Sequence, residues 1–176
     1  MESKMTTLGS LYTQSFRADL DQVRTENGSL KERLVISHPS AVVIVPILEP
    51  DSVLVVSQYR YAVKQETIEF PAGKLDPGED VETAARRELI EETGYQAETW
   101  RELMTFAPNV AYSTEMIHVF AATGLKRVSS DWRDIEEIDQ VEIVKLARVK
   151  EMVQSGEIID GTTILALAAY TAHGGG

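Results

Sequence analysis

Hydrophobic and polar residues alternate along two segments near the N-terminus, residues 16–23 and 30–36. An alternation with a period of two predicts β-strands that bury one face. Asn27-Gly28 lies between the two segments, and this dipeptide favours the tight turn of a β-hairpin. Residues 1–37 are therefore predicted to form an N-terminal β-hairpin extension, ahead of a main domain over residues 38–173.

Apolar segments after Pro39 predict the strands of a larger sheet. Residues 41–48 are almost entirely apolar, which is typical of a strand covered on both faces. The other predicted strands are residues 52–59, 66–70, 99–106, 116–122 and 141–146. Helices are predicted over residues 147–155 and 162–173, and residues 174–176 are expected to be a disordered tail. This order of strands, one embedded helix, more strands and terminal helices predicts an α/β sandwich with a mixed β-sheet.

The embedded helix lies within the segment GKLDPGEDVETAARRELIEETGY, residues 73–95. Asp80 can accept hydrogen bonds from the free amides of a first helical turn, and Gly94 can take the left-handed conformation that ends a helix. Small and apolar residues recur between them at three- and four-residue spacing, which predicts one buried face.

Three carboxylates occupy another face of this helix. Glu88, Glu91 and Glu92 stand at positions i, i+3 and i+4, where like charges repel one another and destabilise a helix. A hard divalent cation removes that conflict, and oxygen ligands suit Mg²⁺ or Mn²⁺. The spacing therefore predicts that the three carboxylates converge on a metal ion.

The spacing of Gly73, Glu79 and the run REXXEEXGX over residues 87–95, here RELIEETGY, resembles the signature of the Nudix hydrolases. That family cleaves nucleoside diphosphates linked to another moiety, usually with magnesium. The resemblance implies that Glu88 and Glu92 are the principal metal ligands and Glu91 a further ligand. It also implies that Arg87 and Glu79 form a supporting ion pair, and it predicts a Nudix-type α/β/α sandwich.

Three further stretches resemble the ADP-ribose and nucleoside-diphosphate-sugar pyrophosphatase branch of that family. They are SQYRYAV from residue 57, EFPAGKLDPGE from residue 69 and VKEMVQSGEIIDGTTILALAAY from residue 149. By this resemblance Arg60 contacts the diphosphate or terminal sugar, Glu69 helps to hold the substrate, and the Ala72 carbonyl completes a metal site. The resemblance also implies a homodimer in which the N-terminal ribbon crosses to the partner subunit.

The chain departs from this branch in residues 107–115. Many ADP-ribose enzymes carry Ser-Pro-Gly here, whereas this chain has Ala-Pro-Asn-Val, although Glu115 is retained as an expected substrate-binding residue. A bulkier loop predicts hydrolysis of several nucleoside diphosphate sugars, ADP-ribose among them. Other nucleotides, such as dinucleoside polyphosphates or nucleoside triphosphates, remain an alternative. A non-catalytic nucleotide-sugar sensor is a second alternative, although such modules usually lose signature glutamates and this chain keeps them.

A general base is expected outside the signature, in the acidic segment 135–139 that precedes the last predicted strand. Glu137 is the first choice for this base and Glu136 the second. Either residue could equally be a solvating charge in an acidic loop.

Net charge, cysteine content and the length of the apolar segments limit the partners, the chemistry and the location expected for this chain. The 176 residues carry a net charge of −11, which argues against a nucleic-acid or anionic-membrane surface. The chain contains no cysteine, which excludes disulfides and thiol nucleophiles. No segment has the apolar length of a membrane span or a signal peptide, so a cytoplasmic protein is expected.

Overall fold

A computed structural model of the chain describes residues 1–48, 51–128 and 140–175. The chain divides into two compact units. One consists of Met1–Ser40 and Phe106–Met116, and the other of Ala41–Thr105 and Ile117–Gly176.

The N-terminal unit contains a three-stranded antiparallel sheet with strand order β1-β2-β3. The strands are β1 (Ser3–Tyr12), β2 (Arg17–Arg24) and β3 (Leu30–Ser37). β2 and β3 form the predicted hairpin, and Gly28 in its turn has a φ of 83°, a value that glycine adopts without strain.

β1 was not predicted from the sequence. Its pairing with β2 shifts register between Lys4 and Thr6 and again between Thr7 and Gly9. Each irregularity of this kind adds a residue that has no direct partner and interrupts the two-residue alternation. The apolar side chains of β1 consequently do not recur at the spacing by which a strand is recognised.

The second unit contains a seven-stranded mixed sheet. Its central path runs β12-β5-β4-β10-β9, with β6 paired to β5 and β7 paired to β4. β4 is parallel to β10 but antiparallel to β5 and β7, so the sheet is mixed as predicted. The strands are β4 (Ala41–Leu48), β5 (Ser52–Arg60), β6 (Gln65–Glu69), β7 (Ala72–Lys74), β8 (Tyr95–Gln96), β9 (Thr99–Phe106), β10 (Ile117–Thr123), β11 (Lys126–Arg127) and β12 (Gln140–Lys145), of which β8 and β11 form a separate pair.

Three helices complete the second unit: α1 (Val81–Thr93), α2 (Leu146–Ser155) and α3 (Gly161–Ala172). α1 begins and ends where the sequence predicts. The Asp80 carboxylate accepts a hydrogen bond from the Thr83 amide at 3.0 Å, and Gly94 ends the helix with a φ of 73°. In the described part of the chain, no helix is long and apolar enough to cross a membrane.

The core lies on both sides of β4. Ala84, Ala85 and Leu89 of α1 pack in one buried cluster with Val42 and Ile44 of β4. The alternate β4 side chains are buried as well, and α3 contacts β4 and β10. Helices on both faces of a mixed sheet confirm the predicted α/β/α sandwich. One face of α1 is thereby fixed against the sheet, and its neighbouring polar face carries the signature glutamates.

Candidate active site

Glu92 is the most deeply placed of the signature glutamates. It is only 7% exposed, and its Oε2 accepts a hydrogen bond of 3.0 Å from the Ala72 amide at the start of β7. Burial, together with the nearby charges of Glu88 and Glu69, raises the pKa of Glu92 to about 8, although the Ala72 hydrogen bond and the charge of Arg60 oppose that rise. The last turn of α1 therefore holds a carboxylate whose negative charge is poorly compensated.

Glu88 lies one turn earlier, beside the backbone of β7. A Cβ atom built on Gly73 would come within 2.0 Å of the Glu88 carboxylate, so a side chain at position 73 would force that carboxylate to move. Burial raises the pKa of Glu88, although the hydrogen bond from Arg87 opposes that rise. Gly73 thus makes room for a second buried carboxylate next to Glu92.

The guanidinium of Arg87 donates hydrogen bonds to three carboxylates beside it. Its Nε and Nη2 donate to the two carboxylate oxygens of Glu79 at 3.0 and 2.9 Å, in a bidentate pair. Its Nη1 donates to Glu88 at 2.7 Å and to Glu91 at 2.9 Å, and Nη2 also donates to the Lys74 carbonyl. The hydrogen bonds from Arg87 hold the pKa of Glu79 below its ordinary value.

The three carboxylates do not converge on one point as the sequence analysis expected. Among the described residues, no three Asp, Glu or His side chains lie close enough together to hold a metal ion as they stand. Arg87 binds two of the three carboxylates, while Glu92 turns towards Ala72. The donors nonetheless fit a hard divalent cation, since they are all oxygen and Glu92 is a buried carboxylate whose charge a cation would offset.

Arg60 and Glu69 form a second cluster on the β5–β6 hairpin. Cross-strand pairing places Gln58 opposite Thr67 and Val56 opposite Glu69, so the side chains of Gln58, Arg60, Thr67 and Glu69 share one face. Arg60 donates to both oxygens of Glu69, from Nε at 2.8 Å and from Nη2 at 2.6 Å. This hydrogen bonding raises the pKa of Arg60, and the charges of Glu69, Asp160 and Glu92 add to the rise.

Glu69 is almost fully buried, and its oxygens are occupied by donors of this chain. Besides Arg60, Thr67 Oγ1 donates to Oε1 at 2.6 Å and Gln58 Nε2 approaches Oε2 at 3.4 Å. A carboxylate that accepts four such hydrogen bonds has little capacity left for another donor. The structure therefore places the predicted substrate residue Glu69 behind Arg60, as its partner.

The segment between β6 and β7, which connects the two clusters, is hydrogen-bonded to α3. The Phe70 amide donates to Thr163 Oγ1 at 3.0 Å, and the Thr163 amide donates to Asp160 at the start of α3. Thr163 is fully buried. Neither Thr163 nor the pair Gln58 and Thr67 was identified from the sequence, because nothing in a single sequence shows which polar residues of separate elements face each other.

Glu115 is the remaining predicted site residue that the structure describes. Glu115 belongs to the N-terminal unit, where its Oε1 is 3.3 Å from His38 Nδ1. The proposed bases Glu136 and Glu137 lie outside the described residues. Tyr59 at the end of β5 and Tyr61 just after it are both exposed.

Comparison with known proteins gives a family match over most of the chain. A family model described as the NUDIX domain matches residues 37–161. A solved structure described as an ADP compounds hydrolase superposes with a TM-score of 0.85, at 22% identity, over 97% of this chain and 92% of that one. That likeness shows the fold.

Three curated relatives are similar in sequence. The methanol dehydrogenase activator of Bacillus methanolicus is 32% identical over 86% of this chain and 82% of its own length. The ADP-ribose pyrophosphatase of Bacillus subtilis is 33% identical over 84% of this chain and 80% of its own. The GDP-mannose pyrophosphatase of Salmonella paratyphi B is 36% identical over 66% of this chain and 64% of its own.

Proposed function

We propose that this chain, which belongs to the Nudix hydrolase family, hydrolyses the diphosphate bond of ADP-ribose and of other nucleoside diphosphate sugars. Water adds to one phosphorus atom and the bridging oxygen leaves with the other, so that ADP-ribose gives AMP and ribose 5-phosphate. The observation that carries the proposal is the position of two clusters in one unit: buried acidic ligands on α1, and a fixed arginine on the β5–β6 hairpin. These are a cation site and an anion site, which a metal-bound diphosphate needs together.

Mg²⁺ is the metal we propose, held by Glu88, Glu91, Glu92 and the Ala72 carbonyl. When bound, such an ion neutralises the phosphate oxygens and lowers the pKa of a water molecule. The chain itself supplies the charge and the orientation of the ligands. Arg87 keeps two of the glutamates in place and offsets part of their negative charge.

Arg60 is the residue we assign to the diphosphate. Its side chain is partly exposed, and its Nε and one Nη2 hydrogen point back to Glu69. The opposite edge of the guanidinium keeps N–H groups that do not point to Glu69, and such groups can bind phosphate oxygens. The general base is proposed to be Glu137, with Glu136 as the alternative.

We also propose that the protein cleaves several nucleoside diphosphate sugars at similar rates. The support for this is the loop of residues 107–115, which lacks the glycine of specialised ADP-ribose enzymes, together with relatives named for ADP-ribose and for GDP-mannose. Metal and Arg60 contact the part that all these substrates share. We expect specificity constants within ~10²-fold of one another, since one or two lost hydrogen bonds separate them.

A substrate screen tests this proposal. Purified protein is incubated with ADP-ribose, ADP-glucose, GDP-mannose or UDP-glucose and Mg²⁺, and the nucleoside monophosphate is quantified by chromatography. ATP and a dinucleoside polyphosphate serve as comparison substrates, and EDTA replaces Mg²⁺ in parallel samples. We expect Mg²⁺-dependent cleavage of several sugars. Preference above ~10⁴-fold for ADP-ribose would contradict broad use, and faster cleavage of the comparison substrates would contradict the substrate class.

A homodimer is the assembly we propose, formed through one face of the N-terminal sheet. Leu11, Leu20 and Leu34 are 75%, 38% and 48% exposed. Leu20 pairs directly with Leu34, and Leu11 pairs with Ala18 next to them, so these side chains share one face. A second copy of the chain offers the same apolar face, which is how symmetric dimers are built.

A cytoplasmic location remains our prediction from the sequence.

Light scattering after gel filtration measures the assembly directly. We expect about twice the 19.5 kDa of one chain at micromolar concentration. Leu34→Glu should shift the mass towards one chain, whereas Lys31→Glu, on the opposite face of the same strand, should not. A wild-type mass near that of one chain would disprove the dimer.

A further inference from the structure

We propose that Thr67, with a smaller contribution from Gln58, is a positioning residue for the arginine that binds the substrate diphosphate, acting through the buried carboxylate of Glu69. This inference deepens the proposed function and rests on it for the role of Arg60. It also changes the role expected for Glu69, from a substrate contact to the anchor of Arg60.

Glu69 fixes the guanidinium of Arg60. Glu69 uses one oxygen for Arg60 Nε and the other for Arg60 Nη2, and such a bidentate pair fixes the plane as well as the position of the guanidinium. Within the described residues, Arg60 Nη1 donates to no acceptor, so the edge facing away from Glu69 keeps donors for a ligand. The orientation of that edge follows the orientation of the Glu69 carboxylate.

Thr67 and Gln58 in turn contact the carboxylate of Glu69. Glu69 ends β6, and rotation about its last side-chain bonds would turn the bidentate pair unless other donors held the oxygens. Thr67 lies two residues earlier on the same face, and its Oγ1 donates to Glu69 Oε1 at 2.6 Å. The Thr67 hydroxyl also lies 3.2 Å from the Gln58 carbonyl, but it has only one hydrogen, and the shorter contact takes it.

Thr67 is itself fixed by the hairpin. It is 5% exposed and pairs directly with Gln58 across the β5–β6 ladder, while Gln58 Nε2 lies 3.4 Å from Glu69 Oε2. The hydroxyl therefore sits on rigid backbone and approaches the carboxylate much more closely than the Gln58 amide does. This difference in distance is the reason for ranking Thr67 above Gln58.

A double-mutant cycle tests the chain of contacts. Thr67→Val removes the hydroxyl while keeping the shape, and should raise KM for nucleotide sugars about 10-fold with kcat changed by less than about 2-fold. Arg60→Lys keeps the charge but cannot form the bidentate pair. In that background Thr67→Val should change KM by less than about 2-fold. An equal rise of KM in both backgrounds would overturn the proposal.

A matched control separates this effect from general loss of a hydroxyl on the sheet. Thr105 lies on β9 and likewise contacts a glutamate: its Oγ1 lies 3.1 Å from Glu102 Oε1 and 2.9 Å from His118 Nδ1. Thr105→Val should leave KM and kcat unchanged. Melting temperatures of all variants are compared. A rise of KM that appears only in variants with a lowered melting temperature would count against positioning.

A readout without catalysis distinguishes failure of this inference from failure of the proposed function. The Arg60 Nε–H signal is followed by ¹⁵N NMR in the free protein, and its hydrogen exchange should become about 10-fold faster in Thr67→Val because the Glu69 partner is less fixed. Inorganic pyrophosphate is then added as a probe and should shift the wild-type signal. If no nucleotide sugar is cleaved but both NMR results hold, the proposed substrate is wrong and the positioning role stands. Unchanged exchange, or no response to pyrophosphate, overturns the inference.

Discussion

Replacement of Glu92 by Gln should raise the stability of the metal-free protein while it lowers activity by ~10²-fold or more. The change keeps the shape and the oxygen that accepts the Ala72 amide, but removes the charge. Burial raises the pKa of Glu92 from 4.5 to about 8. A carboxyl whose pKa is higher in the folded state stabilises the fold most below its unfolded pKa, and this contribution is lost as the pH rises through the folded pKa.

The size of the expected stabilisation follows from the difference between the unfolded and folded pKa values of Glu92. Each pKa unit corresponds to about 1.4 kcal/mol, so the burial of Glu92 costs at most about 5 kcal/mol above pH 8 and about 3 kcal/mol at pH 7. Gln carries no charge at any pH. The difference in unfolding free energy between variant and wild type should therefore be below about 1 kcal/mol at pH 5 and reach several kcal/mol at pH 9.

Urea unfolding at pH 5, 7 and 9 in EDTA measures this difference, and hydrolysis with Mg²⁺ measures activity. Contributions from titrating groups far from Glu92 are common to both proteins and cancel in the comparison, whereas loss of the repulsion with Glu88 and Glu69 adds to the stabilisation of the variant. Activity should fall by ~10²-fold or more, because a ligand charge is lost. Glu91→Gln makes the same change at an exposed position and should give no such stabilisation at pH 9. A Glu92→Gln protein that is less stable than wild type at pH 9, or fully active, would refute the reasoning.

Two other predictions concern the remaining parts of the site. Gly73→Ala places a Cβ within 2.0 Å of the Glu88 carboxylate and should reduce Mg²⁺-dependent hydrolysis by displacing that carboxylate, as a kinetic assay would show. Gly161→Ala, where an added Cβ meets nothing within 4 Å, is the control and should keep full activity. Glu137→Gln should lower kcat by ~10² to 10⁴-fold with substrate binding nearly intact. If only Glu136→Gln has that effect, the base is Glu136. If neither variant is slowed, hydrolysis needs no side-chain base or the base lies elsewhere.

Local chemistry made much of the fold predictable. Asp80 and Gly94 set the ends of α1 through contacts within a few residues, and the predicted helix matches Val81–Thr93. The apolar run of β4 indicated a strand buried on both faces, which the structure confirms. The Nudix resemblance, carried by residues 73–95, is confirmed by the family match over residues 37–161. Such signals survive in a single sequence because they depend on spacing along the chain.

Strand β1 could not be predicted from local sequence patterns. Its two register irregularities hide the alternation that identifies a strand, so the hairpin was predicted without its third strand. The β5–β6 hairpin is a related case. Its turn contains Lys64 at a φ of 56°, a conformation usually taken by glycine, so no turn signature showed the register that brings Thr67 opposite Gln58.

The sequence by itself determined which residues carry charge, and placed three glutamates on one helix face. Only the tertiary structure decided how those charges are compensated. Arg87 binds Glu88 and Glu91, burial beside β7 isolates Glu92, and Glu69 pairs with Arg60. The physical reason is that desolvation and hydrogen-bond geometry depend on distances between separate strands and helices, and these distances exist only after the sheet has assembled.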